Sequence, residues 1–161
     1  MKKLLTISLI LLMILGGCSV KSADEYYKET ESKGTKTVTL TVNCDTAVKY
    51  QKGGERVRGD ILTDYEVSIG EGDTVFDALK KACKKKQIQF EYQGSGDSLY
   101  IRGIDYLYEF ECGDLSGWEY CVNGKFPDKG CNSVTLSDGD VVKWLYTCDL
   151  GADIGNKYKV K

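Results

Sequence analysis

The chain has 161 residues, a formal net charge of −2 and no histidine. This length is enough to bury a single hydrophobic core. The near-neutral charge argues against a nucleic-acid partner, because a phosphate-binding face normally appears as an excess of Lys and Arg. The lack of histidine excludes Ser-His and Cys-His nucleophile pairs as well as histidine metal ligands. We therefore expect a protein that is not an enzyme and carries no metal or other cofactor.

The N-terminus has the pattern of a secretory segment. Two lysines precede an apolar run at residues 4–15, which is too short to span a bilayer. The sequence L-G-G-C at 15–18 resembles the lipobox of bacterial lipoproteins, whose cysteine is diacylated and becomes the first residue of the mature chain. The resemblance implies a signal peptide at 1–17, a lipidated Cys18 and a location at the extracellular face of the bacterial cell membrane. An ordinary signal peptide with a chance cysteine is the alternative.

A polar segment separates this N-terminus from the first strand. Residues 19–36 are rich in charge and have no sustained periodicity, so they contain little that a core could bury. We interpret 18–36 as the lipidated cysteine with a flexible tether and 37–161 as the folded domain.

The first predicted elements are strands. Val38, Leu40 and Val42 alternate with threonines, which predicts a half-buried strand that ends at Cys44. Residues 47–50 are interpreted as a weaker second strand, and 61–69 as a third.

One helix is predicted, opening at Gly72-Asp73. Asp73 is a suitable N-cap residue, and lysines occupy one face of the segment that follows. Helical spacing gives the other face five apolar side chains, which we expect to lie on a sheet. They are Val75, Phe76, Leu79, Ala82 and Cys83.

The rest of the chain is predicted to form short strands. Strands are expected at 88–92, 99–104, 105–112, 118–122, 133–136 and 141–146. Asn123-Gly124 and Asp138-Gly139 are pairs that tolerate the turn geometry of tight hairpins, so we predict two successive hairpins. The order of elements predicts an α+β fold, with one helix on a face of a mainly antiparallel sheet.

Several motifs resemble a bacterial domain family of unassigned function. They are G-W-x-Y-x-V-N-G at 117–124, D-G-D at 138–140, W-x-Y-T-C-D-L-G at 144–151, G-D-T-V-F-D-A-L at 72–79 and T-V-N-C at 41–44. That family is related to the C-terminal β-domain of transcobalamin and intrinsic factor, the vertebrate cobalamin carriers. The resemblance implies a β-grasp-like fold. In the carriers the β-domain closes over a corrinoid held by a helical domain, so the resemblance implies at most half of a cobalamin site.

The cysteines predict a disulfide-stapled domain. Six remain when Cys18 is set aside, and an even number in an exported chain indicates a disulfide framework. Zinc is disfavoured, since there is no C-x-x-C pair. First and last strands are neighbours in a β-grasp-like sheet, which favours joining their two terminal cysteines; a second pair would bracket the Trp118 strand. The predicted pairs are Cys44–Cys148, Cys112–Cys131 and Cys83–Cys121.

Aromatic residues provide the candidate ligand-binding site. Amphipathic aromatics on a sheet or its loops are common contact residues. The best candidate is the loop at 123–130, where Phe126 stands beside Pro127 in a polar segment and is expected to be exposed and ordered. The candidate ligand-binding residues are Phe126, Trp118, Tyr106, Tyr108 and Asn123.

These observations predict a non-enzymatic, lipid-anchored extracellular binding domain. One hypothesis is capture of a small molecule, such as a corrinoid, for import. The alternatives are a protein- or glycan-binding, adhesin-like surface module and a structural cell-envelope lipoprotein. A glycosidase that acts through paired carboxylates is a further alternative, although several of the carboxylates stand at turn positions where Asp hydrogen-bonds the backbone.

Overall fold

The computed structural model describes residues 35–50 and 58–156. The predicted signal peptide, Cys18 and nearly all of the predicted tether lie outside the described residues. Within the described ranges, no helix is long and apolar enough to cross a membrane.

The fold is of the α+β class, as predicted, with more of the described residues in strands than in helices. The elements in chain order are β1 (Lys36–Asn43), α1 (Asp45–Tyr50), β2 (Asp60–Ile69), α2 (Val75–Lys86), β3 (Phe90–Gln93), β4 (Tyr100–Ile104), β5 (Leu107–Tyr108), β6 (Gly117–Val122) and β7 (Val141–Thr147). They form a four-stranded sheet in the order β2-β1-β7-β6 and a three-stranded sheet in the order β3-β4-β5. The sequence predicted one sheet, and the shorter hairpin strands instead make the second.

The first and last strands are neighbours, which confirms that expectation. β1 pairs with β7 in parallel, while β1–β2 and β6–β7 are antiparallel. The predicted alternation in β1 is confirmed as well, since Val38, Leu40 and Val42 are buried. Residues of β1 therefore form the middle of the core.

Helix α2 is the predicted helix, but its N-cap is Thr74 rather than Asp73. The Thr74 hydroxyl accepts a hydrogen bond from the Asp77 N–H, and the Asp77 carboxylate accepts one from the Thr74 N–H, which completes a capping box. Asp73 instead accepts from the Gly70 N–H and forms an ion pair with Lys81. The apolar face is buried as predicted and packs against β1 and β2.

Two strand predictions are wrong and a third is too long. Residues 47–50 belong to helix α1, whose first turn is supported by the Asn43 side chain accepting from the Asp45 N–H. Of residues 105–112, only Leu107–Tyr108 is strand. Residues 133–136 form no hairpin with β7, because the Val134 carbonyl accepts from the Val75 N–H and the Leu136 N–H donates to the Asp73 carbonyl. That segment therefore pairs with the start of α2 rather than with β7.

The second predicted hairpin is replaced by a contact with β1. The Asp138 carboxylate accepts from the Thr37 N–H at 2.7 Å, and the Gly139 N–H donates to the Thr37 carbonyl at 2.8 Å. The turn at 137–140 therefore fixes the start of β7 beside β1. The Asn123-Gly124 turn is confirmed, with φ values of 52° and 75°.

The described cysteines are free thiols, so the predicted disulfide staples are unsupported. This applies to all three predicted pairs, Cys44–Cys148, Cys112–Cys131 and Cys83–Cys121. Cys112 and Cys148, which come from two different predicted pairs, are close enough to influence each other. Burial, followed by the charge of Cys112, raises the pKa of Cys148 to about 12.

Candidate ligand-binding site

A cavity of about 380 Å³ opens beside the edge strand β6 of the four-stranded sheet. Its walls come from β4, β6 and β7, from the Phe126 loop (residues 123–130) and from the segment after β7. The lining residues are Leu99, Tyr100, Ile101, Trp118, Glu119, Tyr120, Phe126, Pro127, Asp128, Lys129, Gly130, Cys131, Trp144, Leu150 and Asn156.

An aromatic cluster forms the sheet side of the cavity. Trp118 and Tyr120 alternate along β6 and therefore share one face. Tyr120 is directly opposite Trp144 on β7, with ring centroids 5.3 Å apart, and Trp118 is opposite Tyr146 at the same distance. Each of these four side chains is at most 9% exposed, so the cluster is a fixed surface.

Hydrogen bonds from this cluster hold the surrounding segments. The Trp118 indole N–H donates to the Leu107 carbonyl at 2.8 Å, and the Tyr146 hydroxyl donates to the Tyr108 carbonyl at 2.7 Å. Both bonds connect the four-stranded sheet to β5 of the second sheet. The orientation of one sheet relative to the other at the cavity is thereby set by buried side chains.

The Phe126 loop is closed at both ends. The Val122 N–H and Lys125 carbonyl bond at 2.9 Å across the turn, and the Tyr120 hydroxyl donates to the Lys129 carbonyl at 2.7 Å. At Gly130 the backbone approaches residue 97 so closely that a Cβ would stand 2.6 Å from the Asp97 carbonyl oxygen. Glycine is therefore required there by close approach.

Polar groups are few and lie at the rim. The Asn156 side chain donates to the Glu119 carboxylate at 2.6 Å, and Asp128 and Lys129 are exposed. Burial, and then the charges of Cys131 and Asp128, raise the pKa of Tyr120 to about 12. The phenol thus stays neutral and serves as a hydrogen-bond donor at physiological pH.

The thiol that lines the cavity is weakly acidic. Among the described residues it belongs to Cys131, which is 2% exposed and has a pKa raised to about 11, with burial as the main cause. A thiol of this kind is a poor nucleophile, since the thiolate is the reactive form. Among the described residues, no group of three or more His, Cys, Asp or Glu side chains could hold a metal ion.

Two of the five predicted ligand-binding residues line the cavity. Trp118 is in its wall, and Phe126 covers it from the loop. The expectation of a fully exposed Phe126 needs correction: Phe126 and Pro127 are half-buried, whereas Lys125 and Asp128 are exposed. The physical reason is that the loop folds over the cavity, where the Phe126 ring gains cover.

The other three predicted residues lie elsewhere. Asn123 has a turn role, because its side chain donates to Asp140 and accepts from the Val141 N–H. Tyr106 is 68% exposed at the β4–β5 turn. The Tyr108 ring lies over Gly103, where a Cβ would stand 2.6 Å from it, and its hydroxyl donates to Glu91.

Sequence reasoning missed the partners that complete the cavity. Tyr120 and Trp144 are aromatic residues on predicted strands, but only the β6–β7 register brings them together. Leu99 and Ile101 come from the second sheet, whose position no local pattern indicates. Alternation within the two strands could have identified their shared face.

Comparison with known proteins supports the fold. A family model described as a domain of unknown function (DUF4430) matches residues 72–147, from the start of α2 to the end of β7. No curated protein matches. The match agrees with the resemblance seen in the sequence motifs.

Two solved structures are similar to this chain. Haptocorrin in complex with Cbi matches with a TM-score of 0.50 and 18% sequence identity. The match covers 71% of this chain but only 26% of the haptocorrin chain. A protein from Ruminococcus gnavus ATCC 29149, provisionally described as metal-binding, matches with a TM-score of 0.46 and 16% identity over 70% of this chain and 96% of that one. The haptocorrin likeness concerns the fold alone.

Proposed function

We propose that this chain is a non-enzymatic binding protein, and that the cavity beneath the Phe126 loop captures a small molecule. The observation that carries the proposal is a cavity of about 380 Å³ with aromatic and aliphatic walls and a loop fixed over it. Small-molecule sites are typically concave, mostly apolar and about 300–1,000 Å³ in volume. The few polar groups at the rim would orient the ligand.

A corrinoid is the first ligand to test. Support comes from the likeness between this β-grasp-like domain and haptocorrin, which was solved with Cbi. The cavity suits one peripheral group of a corrinoid rather than the whole molecule, so a second protein would cover the rest. Hand-over to a membrane importer would fit a domain tethered at the cell surface.

Isothermal titration with cyanocobalamin and cobinamide tests this ligand. We expect Phe126→Ala to weaken binding by about tenfold or more, as for an aromatic hot spot. Phe110→Ala is the matched control, since Phe110 is 62% exposed and lies outside the cavity. The absence of heat at about 100 micromolar of either compound would remove the corrinoid hypothesis.

The lipid anchor is a separate proposal that rests on the L-G-G-C pattern at 15–18. Cells that express the full-length chain should incorporate labelled palmitate, and Cys18→Ser should abolish the labelling. Label that survives the substitution would rule out lipidation at Cys18. Protease accessibility on intact cells then tests the extracellular location.

A surface-recognition role is the second candidate. Tyr106 and Phe110 are 68% and 62% exposed, and both have left-handed backbone conformations, with φ of 63° and 69°. Bulky residues rarely adopt that conformation, which motivates a functional role. If the domain binds a glycan or protein, Phe110→Ala should reduce glycan-array or cell-surface binding while Phe126→Ala should not. Binding in neither assay would favour a structural cell-envelope role.

A further inference from the structure

We propose that the ligand group entering the cavity is an apolar ring bearing a neutral oxygen acceptor, such as a carboxamide, and that the Trp144 indole N–H donates to that oxygen. This inference rests on the proposed binding function and adds the chemical class of the ligand. It concerns a group in the cavity wall that was not among the predicted ligand-binding residues.

The donor is identified by its lack of a partner. Trp144 is 2% exposed, and its Nε1 is the buried side-chain polar atom for which the described part of the chain supplies no hydrogen-bond partner. Buried polar atoms are almost always paired, because an unmade hydrogen bond is costly in a water-excluded site. Trp118, on the adjacent strand, has the same indole group but donates to the Leu107 carbonyl at 2.8 Å.

Trp144 lies where a ring bound in the cavity would contact it. It lies opposite Tyr120 in the β6–β7 register, and both residues line the cavity with Phe126. A planar group between the sheet and the loop would therefore contact the Trp144 indole. Rings stacked or packed edge-to-face on such a surface gain favourable contact energy.

The other indole, phenol and side-chain amide donors in the cavity wall have partners within the protein. The Tyr120 hydroxyl donates to the Lys129 carbonyl, and the Asn156 amide donates to the Glu119 carboxylate. The Trp144 N–H is consequently the donor that a ligand oxygen would satisfy.

Charge favours a neutral acceptor over a carboxylate. The lining contains the carboxylates of Glu119 and Asp128 and one cation, Lys129. A ligand anion would meet net negative charge as well as the desolvation cost of entering an apolar cavity. A carbonyl oxygen of an amide carries neither penalty.

The test uses three ring probes of similar size on the full-length ¹⁵N-labelled protein: benzamide, benzoate and toluene. The chain has only two tryptophans, so its indole N–H resonances are readily assigned with Trp144→Phe and Trp118→Phe. With benzamide we expect the Trp144 resonance to move downfield, while benzoate binds more weakly and toluene produces no downfield shift. Affinities of each probe come from the same titrations.

The matched variants separate the hydrogen bond from packing. Trp144→Phe should lower the preference for benzamide over toluene by about three- to tenfold, the range expected for one hydrogen bond. Phe110→Ala, which removes an exposed ring outside the cavity, should leave that preference unchanged. Taking the ratio of the benzamide and toluene affinities cancels any loss of packing that affects both probes equally. If a variant does not fold, the shifts of the wild-type Trp144 indole resonance still test the hydrogen bond.

The outcomes distinguish the two proposals. If resonances of Phe126 and Ile101 respond to all three probes but the Trp144 N–H does not discriminate among them, the acceptor inference is overturned and the binding cavity stands. If no cavity resonance responds to any probe, both the binding function and the inference built on it fail.

Discussion

The Tyr120 hydroxyl donates a hydrogen bond to the Lys129 carbonyl at 2.7 Å, so a buried strand residue fixes the far end of the Phe126 loop. Tyr120 also contacts Trp144 and lines the cavity. One side chain thus links the core of the four-stranded sheet to the loop that covers the candidate site.

Removing that bond tests the link. We expect Tyr120→Phe to lower the free energy of unfolding by about 1 kcal/mol and to increase amide exchange at 125–130, since the loop loses its anchor. Chemical denaturation and hydrogen exchange measure the two effects. Tyr100→Phe is the control, because Tyr100 is 43% exposed and its hydroxyl makes only long contacts at 3.4–3.5 Å. If amide exchange at 125–130 is the same in Tyr120→Phe as in the wild type, Tyr120 does not anchor the loop.

Close approach at Gly130 gives a second test. Gly130→Ala would place a Cβ 2.6 Å from the Asp97 carbonyl oxygen, so either the loop or residues 96–98 must move. We expect a loss of stability of about 1–3 kcal/mol, as for other overpacking substitutions, and weaker ligand binding. Gly117→Ala is the matched control, because the nearest atom there would be Glu109 Cβ at an ordinary 3.8 Å. Equal melting temperatures of the two variants would show that the approach is not tight.

The proximity of Cys112 and Cys148 gives a third test. If glutathione disulfide oxidises the protein, we expect the bond to form between these two residues, because the charge of Cys112 raises the pKa of Cys148 and the two thiols are therefore neighbours. Cys112 is half-exposed and should react first, whereas Cys148 is buried with a raised pKa. Closing this loop should stabilise the fold by about 3–4 kcal/mol in the chain-entropy model.

Non-reducing peptide mapping with and without Cys112→Ser checks that result. A Cys44–Cys148 bond in the oxidised protein would contradict this expectation and agree with the pairing predicted from strand order. No bond under oxidising conditions would show that the two thiols do not approach closely enough in solution.

Local patterns predicted the parts of the fold that local chemistry determines. The alternation of β1, the apolar face of α2 and the Asn123-Gly124 turn each follow from neighbouring residues, and each is present. Residues 133–136 alternate like a strand but pair with the start of α2, since the Val134 carbonyl meets the Val75 N–H. That partner is distant in sequence, so alternation alone could not identify it.

The sequence predicted part of the candidate site. Phe126 and Trp118 are aromatic residues in segments with visible turn and strand signals, and both reach the cavity. Trp144 requires the register of β6 against β7, and Ile101 requires the position of the second sheet. The predicted cysteine pairs are unsupported for a related reason, since strand order specifies which strands are adjacent but not which side chains face each other.

Alkaline pH provides the last test, because several buried groups hold their protons more tightly in the folded state. Burial is the main cause that raises the pKa of Tyr120 and of Tyr146 to about 12, against about 10 in an unfolded chain. A raised pKa of this kind stabilises the fold fully below the unfolded value, and the stabilisation is lost as pH rises through the folded value. The thiols of Cys44 and Cys83, also raised to about 12 by burial, act in the same direction from about pH 9.

We therefore expect the free energy of unfolding to be level near neutral pH, to decline above about pH 9 and to fall more steeply between about pH 10 and 12. Urea denaturation at a series of pH values under reducing conditions measures the curve, and absorbance at 295 nm reports tyrosinate formation. Tyr120→Phe should flatten the steep part above pH 10. A decline above about pH 10 that is no steeper than the decline just above pH 9 would show that the two phenols are solvated in the folded protein, and the aromatic wall of the cavity would then be open to water.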